Sequence, residues 1–357
     1  LLLRGSMLAR MGGDEFTVVI PEVSKPEDAE TVARHILRAF SRPFEVNGRE
    51  QFVSASIGLC FYPEDAKTPS DLLRCADVAV YRAKAAGKGL FRRYNASMNR
   101  ATERQLRIQN ELHRAIEREE LSLDYQAQFS MEDRALTGAE ALLRWNSAAL
   151  GPTGPSEFIP VAETSGLVIP VGKWALDRVC RQIADWERSG RVPITVAVNV
   201  SAIQFAERDF LECIWSVLQK HQIDPYRLVL ELTESSIMRD YEESAAKIGI
   251  LRQIGVSVAI DDFGTGYSSL SSLERLHPDS LKIDKSFIQR IAPSEPRPAI
   301  VKAIIGLAHS LGMRVVAEGI ETDYQLKTLR EFGCHAGQGY LLSAPLAGEA
   351  FQELLSA

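Results

Sequence analysis

Short apolar runs alternate with helical segments along the part of the chain that follows Leu121. Eight of the runs predict strands, at Leu121–Gln126, Thr137–Leu143, Ile194–Val200, Leu228–Leu232, Val256–Ile260, Ser280–Ile283, Met313–Ala317 and His335–Gln338. The segments between them repeat their apolar residues with a helical period, which predicts helices at Lys173–Arg188, Arg208–His221, Tyr241–Ile254, Ala299–Leu311 and Asp323–Phe332. Strands and helices that alternate in this way are typical of an α/β protein with a parallel sheet.

Two α/β architectures fit this alternation. The eight strand candidates lie in the part of the chain from Leu121 onward. Its length matches that of a (β/α)8 TIM-like barrel, which typically has ~250 residues. The alternative is a doubly wound open sheet. No Gly-x-Gly-x-x-Gly follows the first predicted strand, which disfavours a dinucleotide-binding sheet, so we expect the barrel.

A different pattern precedes the barrel. The pair Gly12-Gly13 stands before the strand-like run Phe16–Ile20, which indicates a hairpin with Asp14 and Glu15 near its tip. Further predicted elements are a helix at Pro26–Phe40, a strand at Phe52–Leu59, a helix at Ser70–Gly87 and a charged helix at Asn95–Glu120. The pattern therefore predicts an α/β domain over residues 1–94, a helical linker over 95–118 and the barrel over 119–357.

Composition narrows the class of protein. The 357 residues carry a formal net charge of −6, whereas proteins that bind nucleic-acid polymers usually have a basic excess, so no such partner is expected. The five cysteines form no Cys-x-x-Cys pair, which disfavours a zinc ribbon or disulfide framework and favours a reducing, cytoplasmic location. The apolar start, Leu1–Leu3, is too short to span a membrane, so we expect no membrane contact within this chain. Because residue 1 is not Met, we interpret the chain as a piece of a longer protein, which could be membrane-anchored upstream.

Polar residues stand in or just after most of the predicted strands, where an unpaired charge would be costly. They are Gln126, Glu140, Asn199, Glu231, Asp261 with Asp262, Lys282, Glu318 and Gln338. The active site of a TIM-like barrel lies at the carboxyl ends of its strands, so we expect these side chains to converge. A ligand set made almost entirely of oxygen atoms predicts Mg²⁺ or Mn²⁺ rather than Zn²⁺. Lys282 adds a positive charge that suits a phosphoryl oxygen or a bound water.

The N-terminal hairpin resembles the signature of the GGDEF family, the diguanylate cyclases. Gly12-Gly13-Asp14-Glu15-Phe16 carries the signature, and Val53–Gly58 and Ala76–Lys84 resemble later parts of that family. The resemblance covers only the second half of the family's domain, up to Tyr94. It implies that part of the GTP site is missing, so diguanylate cyclase activity is not expected from this chain.

The segment Glu140-Ala141-Leu142-Leu143-Arg144-Trp145 resembles the signature of the EAL family, phosphodiesterases that hydrolyse cyclic di-GMP. Further matching segments follow in order: Phe158–Glu163, Val198–Ser201, Glu231–Glu234, Asp261–Leu270, Leu281–Asp284, Val316–Glu321 and Gly337–Tyr340. An ordered set of this kind is far more specific than a single three-letter motif. The chain as a whole therefore resembles the tandem GGDEF–EAL proteins.

The EAL resemblance implies two cations, Mg²⁺ or Mn²⁺, in each active site. The first would be held by Glu140, Asn199, Glu231 and Asp261. The second would be held by Asp261, Asp262 and Glu318. Lys282 would position the attacking water, which gives a catalytic set of Glu140, Asp262, Lys282 and Glu318.

The same resemblance implies a substrate site and a loop. Arg144 would bind a substrate phosphate, because a forked guanidinium suits two oxygens. The nucleotide would be lined by Gln126, Asp284 and Gln338. Glu234 would anchor the loop Asp262–Leu270, which the resemblance places near a homodimer contact of the EAL domain.

The implied reaction is hydrolysis of cyclic di-GMP to linear pGpG. The alternative is a catalytically weak cyclic di-GMP receptor, in which a degenerate barrel binds the ligand and signals. A receptor of that kind predicts missing metal carboxylates, and all of them are present in this sequence. We therefore expect a phosphodiesterase.

Overall fold

A computed structural model of the protein describes residues 5–46, 48–87, 89–191, 194–238, 240–264, 273, 275–292 and 298–355, without the side chains of 49, 85, 101 and 102. The chain divides into two compact units, Leu1–Arg107 and Ile108–Ala357. In the described part of the chain, no helix has the length and apolar character that a membrane crossing needs.

The described part of the first unit contains three two-stranded sheets, two complete helices and most of a third helix. Its elements are β1 (Met7–Gly12), β2 (Glu15–Val19), α1 (Pro26–Phe40), β3 (Phe44–Val46), β4 (Arg49–Gln51), β5 (Ile57–Leu59), α2 (Pro69–Ala85) and β6 (Phe91–Arg93). β1 and β2 form the predicted hairpin, in which the Arg10 guanidinium donates hydrogen bonds to the Gly13 carbonyl at 3.1 and 2.7 Å. Asp14 and Glu15 are exposed at its tip. The helix α3 (Ala96–Leu112) contains the division between the units.

The strand predicted at Phe52–Leu59 is wrong over its first five residues, 52–56. The strand β5 begins only at Ile57, where it pairs in parallel with the short strand β6. Phe52 is 77% exposed and Val53 is 49% exposed. Apolar β-branched and aromatic residues favour a strand only where they can pack on a half-buried surface, and these two residues lack one in this unit.

The second unit is a barrel of strands with helices around it. Its elements are β7 (Leu121–Ser130), β8 (Leu136–Ser147), β9 (Gly151–Thr153), α4 (Pro155–Ser165), α5 (Val168–Arg188), β10 (Thr195–Val200), α6 (Ala202–Ala206), α7 (Phe210–His221), β11 (Leu228–Thr233), α8 (Glu234–Met238), α9 (Tyr241–Gln253), β12 (Ser257–Phe263), β13 (Ser280–Ile283), α10 (Lys285–Ile288), α11 (Ala299–Ser310), β14 (Arg314–Ala317), α12 (Asp323–Glu331), β15 (Ala336–Gly337), β16 (Leu346–Ala347) and α13 (Gly348–Leu354). The ring of strands runs β7, β8, β10, β11, β12, β13, β14 and β15, and β15 pairs back onto β7. The predicted eight-stranded barrel is confirmed.

The strand β7 departs from the parallel sheet that the sequence predicts. It runs antiparallel to both of its barrel neighbours, β8 and β15. Only residues 131–135 connect it to β8, and a parallel crossover needs about a dozen residues or more. The first half of β7 therefore lies beside the carboxyl end of β8, and Gln126 is a mid-strand residue opposite Glu140 rather than a strand end.

The C-terminal helix α13 closes the barrel core with an aromatic contact. Phe351 is fully buried, with its ring centroid 5.3 Å from that of Trp186 and 5.9 Å from that of Tyr125. The rings of Tyr125 and Trp186 meet edge to face at 5.0 Å. These contacts tie the end of the chain to the strand that closes the ring.

Phe351→Ala should lower the free energy of unfolding of the barrel by about 3–5 kcal/mol, because it leaves a cavity between two rings. Urea unfolding followed by tryptophan fluorescence measures this, since all four tryptophans lie in the second unit. Trp215→Ala is the control, because Trp215 is 49% exposed and its loss should cost less than about 1 kcal/mol. Equal losses in the two variants would contradict the prediction.

Candidate active site

The ammonium of Lys282 lies at the centre of four carboxylates. Its Nζ is 2.6 Å from Glu318 Oε1, 2.7 Å from Glu231 Oε2, 3.1 Å from Glu140 Oε2 and 3.6 Å from Asp261 Oδ1. The five residues come from β13, β8, β11, β12 and the end of β14. We call this group the Lys282 cluster. Its members are 1% to 17% exposed, measured on the side chains.

The register of the barrel strands explains why these side chains converge. Asn199 pairs with Glu231 on the neighbouring strand, and Thr233 pairs with Asp261. The strands β10, β11, β12 and β13 are parallel, so their carboxyl ends meet at the same end of the barrel. Asn199 Nδ2 donates a hydrogen bond to Glu140 Oε1 at 2.7 Å, which brings the predicted amide ligand to the cluster.

Asp261 and Asp262 lie in an irregular end of β12. The register between β12 and β13 shifts between Ile260 and Phe263, which is a bulge. Asp262 has a φ of 54°, in the left-handed region that Asp tolerates better than most residues, and its backbone N–H donates to Asp261 Oδ1 at 2.9 Å. The bulge removes the strict alternation of a strand, so two adjacent carboxylates can lie near one site.

The pKa values in the cluster record a surplus of negative charge. Burial, followed by the charge of Glu140, raises the pKa of Glu231 well above its ordinary value. Burial and neighbouring carboxylates raise the pKa of Glu318 to about 7. Burial and the charges of Asp261 and then Asp284 raise the pKa of Asp262.

Two members of the cluster remain charged in spite of burial. Burial opposes ionisation of Glu140, but the Lys282 ammonium and hydrogen bonds from Gln338 and Asn199 hold its pKa below the ordinary value. Burial would likewise lower the pKa of Lys282. The surrounding carboxylates, with Glu140 first, raise it well above the ordinary value instead. The ammonium is therefore a permanent positive charge at the centre of the site.

The donor chemistry of the cluster fits a hard divalent cation. Four carboxyl groups surround one ammonium, so ionisation of more than one of them leaves an excess of negative charge, which a cation would compensate. Carboxylate and amide oxygens are the ligands that such cations prefer. Among the described residues, no three acidic, thiol or imidazole side chains already surround a common point as a ready cation site. The Lys282 ammonium instead contacts all four carboxylates.

Gln338 joins the cluster through its amide. Its Nε2 donates hydrogen bonds to Glu140 Oε2 at 2.5 Å and to Glu318 Oε1 at 3.3 Å. Its Oε1 accepts a hydrogen bond from Gln128 Nε2 at 2.9 Å, which fixes the orientation of the amide. Gln128 is not among the site residues predicted from the sequence. Its alternation with Gln126 along β7 was the available signal, but the predicted strand ended at Gln126.

The remaining substrate candidates lie outside the hydrogen-bonded cluster. Gln126 Nε2 donates to the backbone carbonyl of Ser343 at 3.1 Å. Arg144 Nε donates to Asp124 Oδ2 at 2.7 Å. Asp284 begins the short helix α10, where its Oδ1 accepts from the backbone N–H of Ser286 at 3.0 Å.

Glu234 begins the helix α8 directly after β11 and is 6% exposed. Its Oε2 has no hydrogen-bond partner among the described residues. The helix α8 packs against β12, the strand that carries Asp261 and Asp262. Of the predicted loop Asp262–Leu270, residues 265–270 lie outside the described part of the chain, so the role of Glu234 as its anchor stays a prediction.

Comparison with known proteins assigns this barrel to a family. The sequence profile of the EAL domain matches residues 109–345, and the profile described as diguanylate cyclase, GGDEF domain, matches residues 1–89. The chain belongs to the EAL family. Its EAL domain follows a GGDEF segment, so the predicted tandem arrangement is confirmed.

Several relatives share this arrangement. A Pseudomonas aeruginosa protein named bifunctional diguanylate cyclase/cyclic di-GMP phosphodiesterase MucR is 41% identical over 342 residues, which is 96% of this chain and 50% of that protein. The Escherichia coli protein named cyclic di-GMP phosphodiesterase PdeR is 35% identical over 346 residues, which is 97% of this chain and 52% of that protein. The chain thus spans about half the length of these curated relatives.

A solved structure shares the EAL barrel. The structure titled PaMucR phosphodiesterase, c-di-GMP complex, has a TM-score of 0.66 and 41% identity, and the match covers 69% of this chain and 99% of that one. Phosphodiesterases of the EAL family depend on metal ions. The oxygen-rich donor set around Lys282 agrees with that dependence.

Lys282→Met should lower the free energy of unfolding of the EAL domain by about 3–5 kcal/mol in EDTA, because four largely buried carboxylates lose the ammonium that contacts them all. A divalent cation should restore more stability to this variant than to the wild type. Urea titration followed by tryptophan fluorescence measures both effects.

Lys220→Met is the control for this prediction. Lys220 Nζ also contacts a carboxylate, Asp177 Oδ1, at 2.6 Å, but its side chain is 62% exposed. An exposed pair contributes about 0–1 kcal/mol. A similar loss of stability in both lysine variants would show that the cluster does not depend on its central charge.

Proposed function

We propose that the EAL domain hydrolyses cyclic di-GMP to linear pGpG. The observation that carries the proposal is the Lys282 cluster, four converging carboxylates around one ammonium at the carboxyl ends of barrel strands. Support comes from the relatives named as cyclic di-GMP phosphodiesterases and from the EAL structure titled as a c-di-GMP complex. A degenerate receptor would have lost some of these carboxylates, and this chain retains them.

We assign two cations, Mg²⁺ or Mn²⁺, to the site. The first would be held by Glu140, Asn199, Glu231 and Asp261, and the second by Asp261, Asp262 and Glu318. Two such ions would lower the pKa of a water and stabilise negative charge at the attacked phosphate. The all-oxygen donor set favours these metals over zinc.

Within this assignment the protein side chains bind and orient the reactants. Lys282 donates hydrogen bonds to the attacking water, and its charge stabilises the oxygens of the phosphate. Gln338 and Asn199 hold Glu140 in place, as their hydrogen bonds to its two oxygens indicate. Arg144 binds a substrate phosphate, and the nucleotide lies against Gln126, Asp284 and Gln338.

We also propose the domain limits, assembly and location. The proposed limits are a GGDEF segment over residues 1–94, a helical linker over 95–118 and the EAL domain over 119–357.

The EAL domain forms a homodimer with the loop Asp262–Leu270 near the contact, and Glu234 anchors this loop. The cysteines are free thiols, which suits a cytoplasmic location.

Glu140→Ala tests the reaction directly. Loss of a cation ligand should lower kcat by at least roughly 100-fold. The fold should be retained, because the substitution removes one of four carboxylates that repel each other and leaves Lys282 paired with the other three. Chromatography of the products after incubation with cyclic di-GMP and Mg²⁺ or Mn²⁺ measures pGpG. EDTA should abolish its formation by the wild type.

The control for Glu140→Ala is Glu132→Ala, since Glu132 is an exposed residue in the turn between β7 and β8. It should retain full activity. Undiminished hydrolysis by Glu140→Ala, or a wild type that remains active in excess EDTA, would refute the proposed mechanism.

Glu234→Gln tests the loop. Glu234 is a buried acid beside the strand that carries Asp261 and Asp262, so its neutralisation should reduce activity and weaken cation affinity without unfolding the barrel. If dimerisation biases the loop, the specific activity of the wild type should rise with protein concentration. Assays over a dilution series, combined with cation titration by calorimetry, measure both.

Glu242→Gln is the matched control for the loop prediction. The side chain of Glu242 is 78% exposed and pairs with Arg275 at 3.2 Å on the outside of the barrel. It should leave activity and cation affinity unchanged. A fully active Glu234→Gln together with concentration-independent activity would exclude the coupled loop.

A further inference from the structure

Asp124 holds the guanidinium of Arg144 on the face of the barrel that carries the candidate site. Its Oδ2 accepts a hydrogen bond from Arg144 Nε at 2.7 Å. The exposed fractions of the two side chains are 28% for Asp124 and 33% for Arg144. We propose that Asp124 is a positioning residue, which acts on cyclic di-GMP only through Arg144. The inference rests on the proposed function, in which Arg144 binds a substrate phosphate.

The strand register places this pair beside the cluster. In the antiparallel ladder of β7 and β8, Gln126 pairs with Glu140, Asp124 with Leu142 and Ser122 with Arg144. Paired residues of a ladder lie on the same face, and so do residues two positions apart along one strand. Asp124 and Arg144 therefore share the face of Gln126 and Glu140, toward the carboxyl end of β8. They are diagonal neighbours, a spacing that long side chains can bridge.

The hydrogen bonds that Arg144 makes with described residues leave one end of its guanidinium available. Nε donates to Asp124, and Nη1 donates to the backbone carbonyl of Leu143 at 3.1 Å. Neither contact uses Nη2. A guanidinium has five N–H donors in a fixed plane, so two restraints on one edge orient the opposite end. That end can still bind phosphate oxygens in the forked geometry that arginine favours.

Holding the Arg144 guanidinium in one orientation favours substrate binding, because an unrestrained arginine side chain has many conformations. Ordering a flexible side chain on binding costs about 0.5–1.5 kcal/mol, which corresponds to roughly two- to tenfold in affinity. The bond to Asp124 would restrict Arg144 before the substrate arrives. The carboxylate is also paired with the guanidinium, which limits its repulsion of the substrate phosphate.

The test is a set of variants assayed for hydrolysis of cyclic di-GMP to pGpG. Asp124→Ala should raise KM by roughly two- to tenfold with a much smaller change in kcat, because the lost restraint affects binding. Asp124→Asn should lie between Ala and wild type, since its side-chain oxygen still accepts from Arg144 Nε. In an Arg144→Ala background, Asp124→Ala should have no further effect on KM.

Glu187→Gln is the matched control, because Glu187 also pairs with an arginine, Arg227, at 3.5 Å and has a side chain 34% exposed. Arg227 precedes the amino end of β11, so this pair lies away from the site, and its loss should leave KM unchanged. An unchanged or lower KM for Asp124→Ala would overturn the assignment, and so would an equal rise in the Arg144→Ala background. If the wild type does not hydrolyse cyclic di-GMP, the proposed function and this assignment both fail. The two KM results that would overturn the assignment alone are measured in an enzyme that is active, so the two kinds of failure can be distinguished.

Discussion

The attraction between one buried ammonium and four carboxylates is the constraint on which the second unit depends. Charges of one sign cannot be gathered in a low-dielectric interior without compensation, and Lys282 supplies the compensation at distances of 2.6 to 3.6 Å. A closed ring of strands is the arrangement that brings side chains from five different segments to that point. The raised pKa values of Glu231 and Glu318 show that compensation is incomplete. A site with this excess of negative charge suits a divalent cation, which agrees with the metal dependence of EAL phosphodiesterases.

The antiparallel strand β7 contributes polar groups that support the cluster. Gln128 fixes the amide of Gln338, and Asp124 fixes the guanidinium of Arg144, while Gln126 contacts the carbonyl of Ser343. These side chains are two residues apart along one strand, so they lie on the same face of the sheet as Glu140. A parallel first strand would bring its carboxyl end, Phe129 and Ser130, to the site instead. The short turn between β7 and β8 thus helps to decide which side chains of β7 lie beside Glu140.

The sequence predicted the barrel and its carboxylates because both depend on local patterns. Apolar runs interrupted by single acids mark strands such as β11, where Glu231 stands between leucines. The predicted parallel direction was wrong for β7, because alternation of side chains along a strand is the same in parallel and antiparallel sheets. The left-handed conformation of Asp262 and the contact of Gln128 with Gln338 depend on neighbouring strands that are distant in sequence. The exposure of Phe52 depends equally on packing that its own composition does not reveal.

The Lys282 cluster is better explained by chemistry than by stability. Apolar residues of similar volume often stabilise a core as much as a buried ion pair or more, whereas removal of one charged partner is strongly destabilising. A cluster with three surplus carboxylates is therefore a liability that the packed apolar core around it must offset. That core includes Leu230, Leu232, Leu281 and Ile283, each fully buried next to an acid or the lysine along its own strand. Rigid apolar neighbours on both sides hold the charged side chains in register, and precise placement of charge is what cation binding and phosphodiester cleavage require.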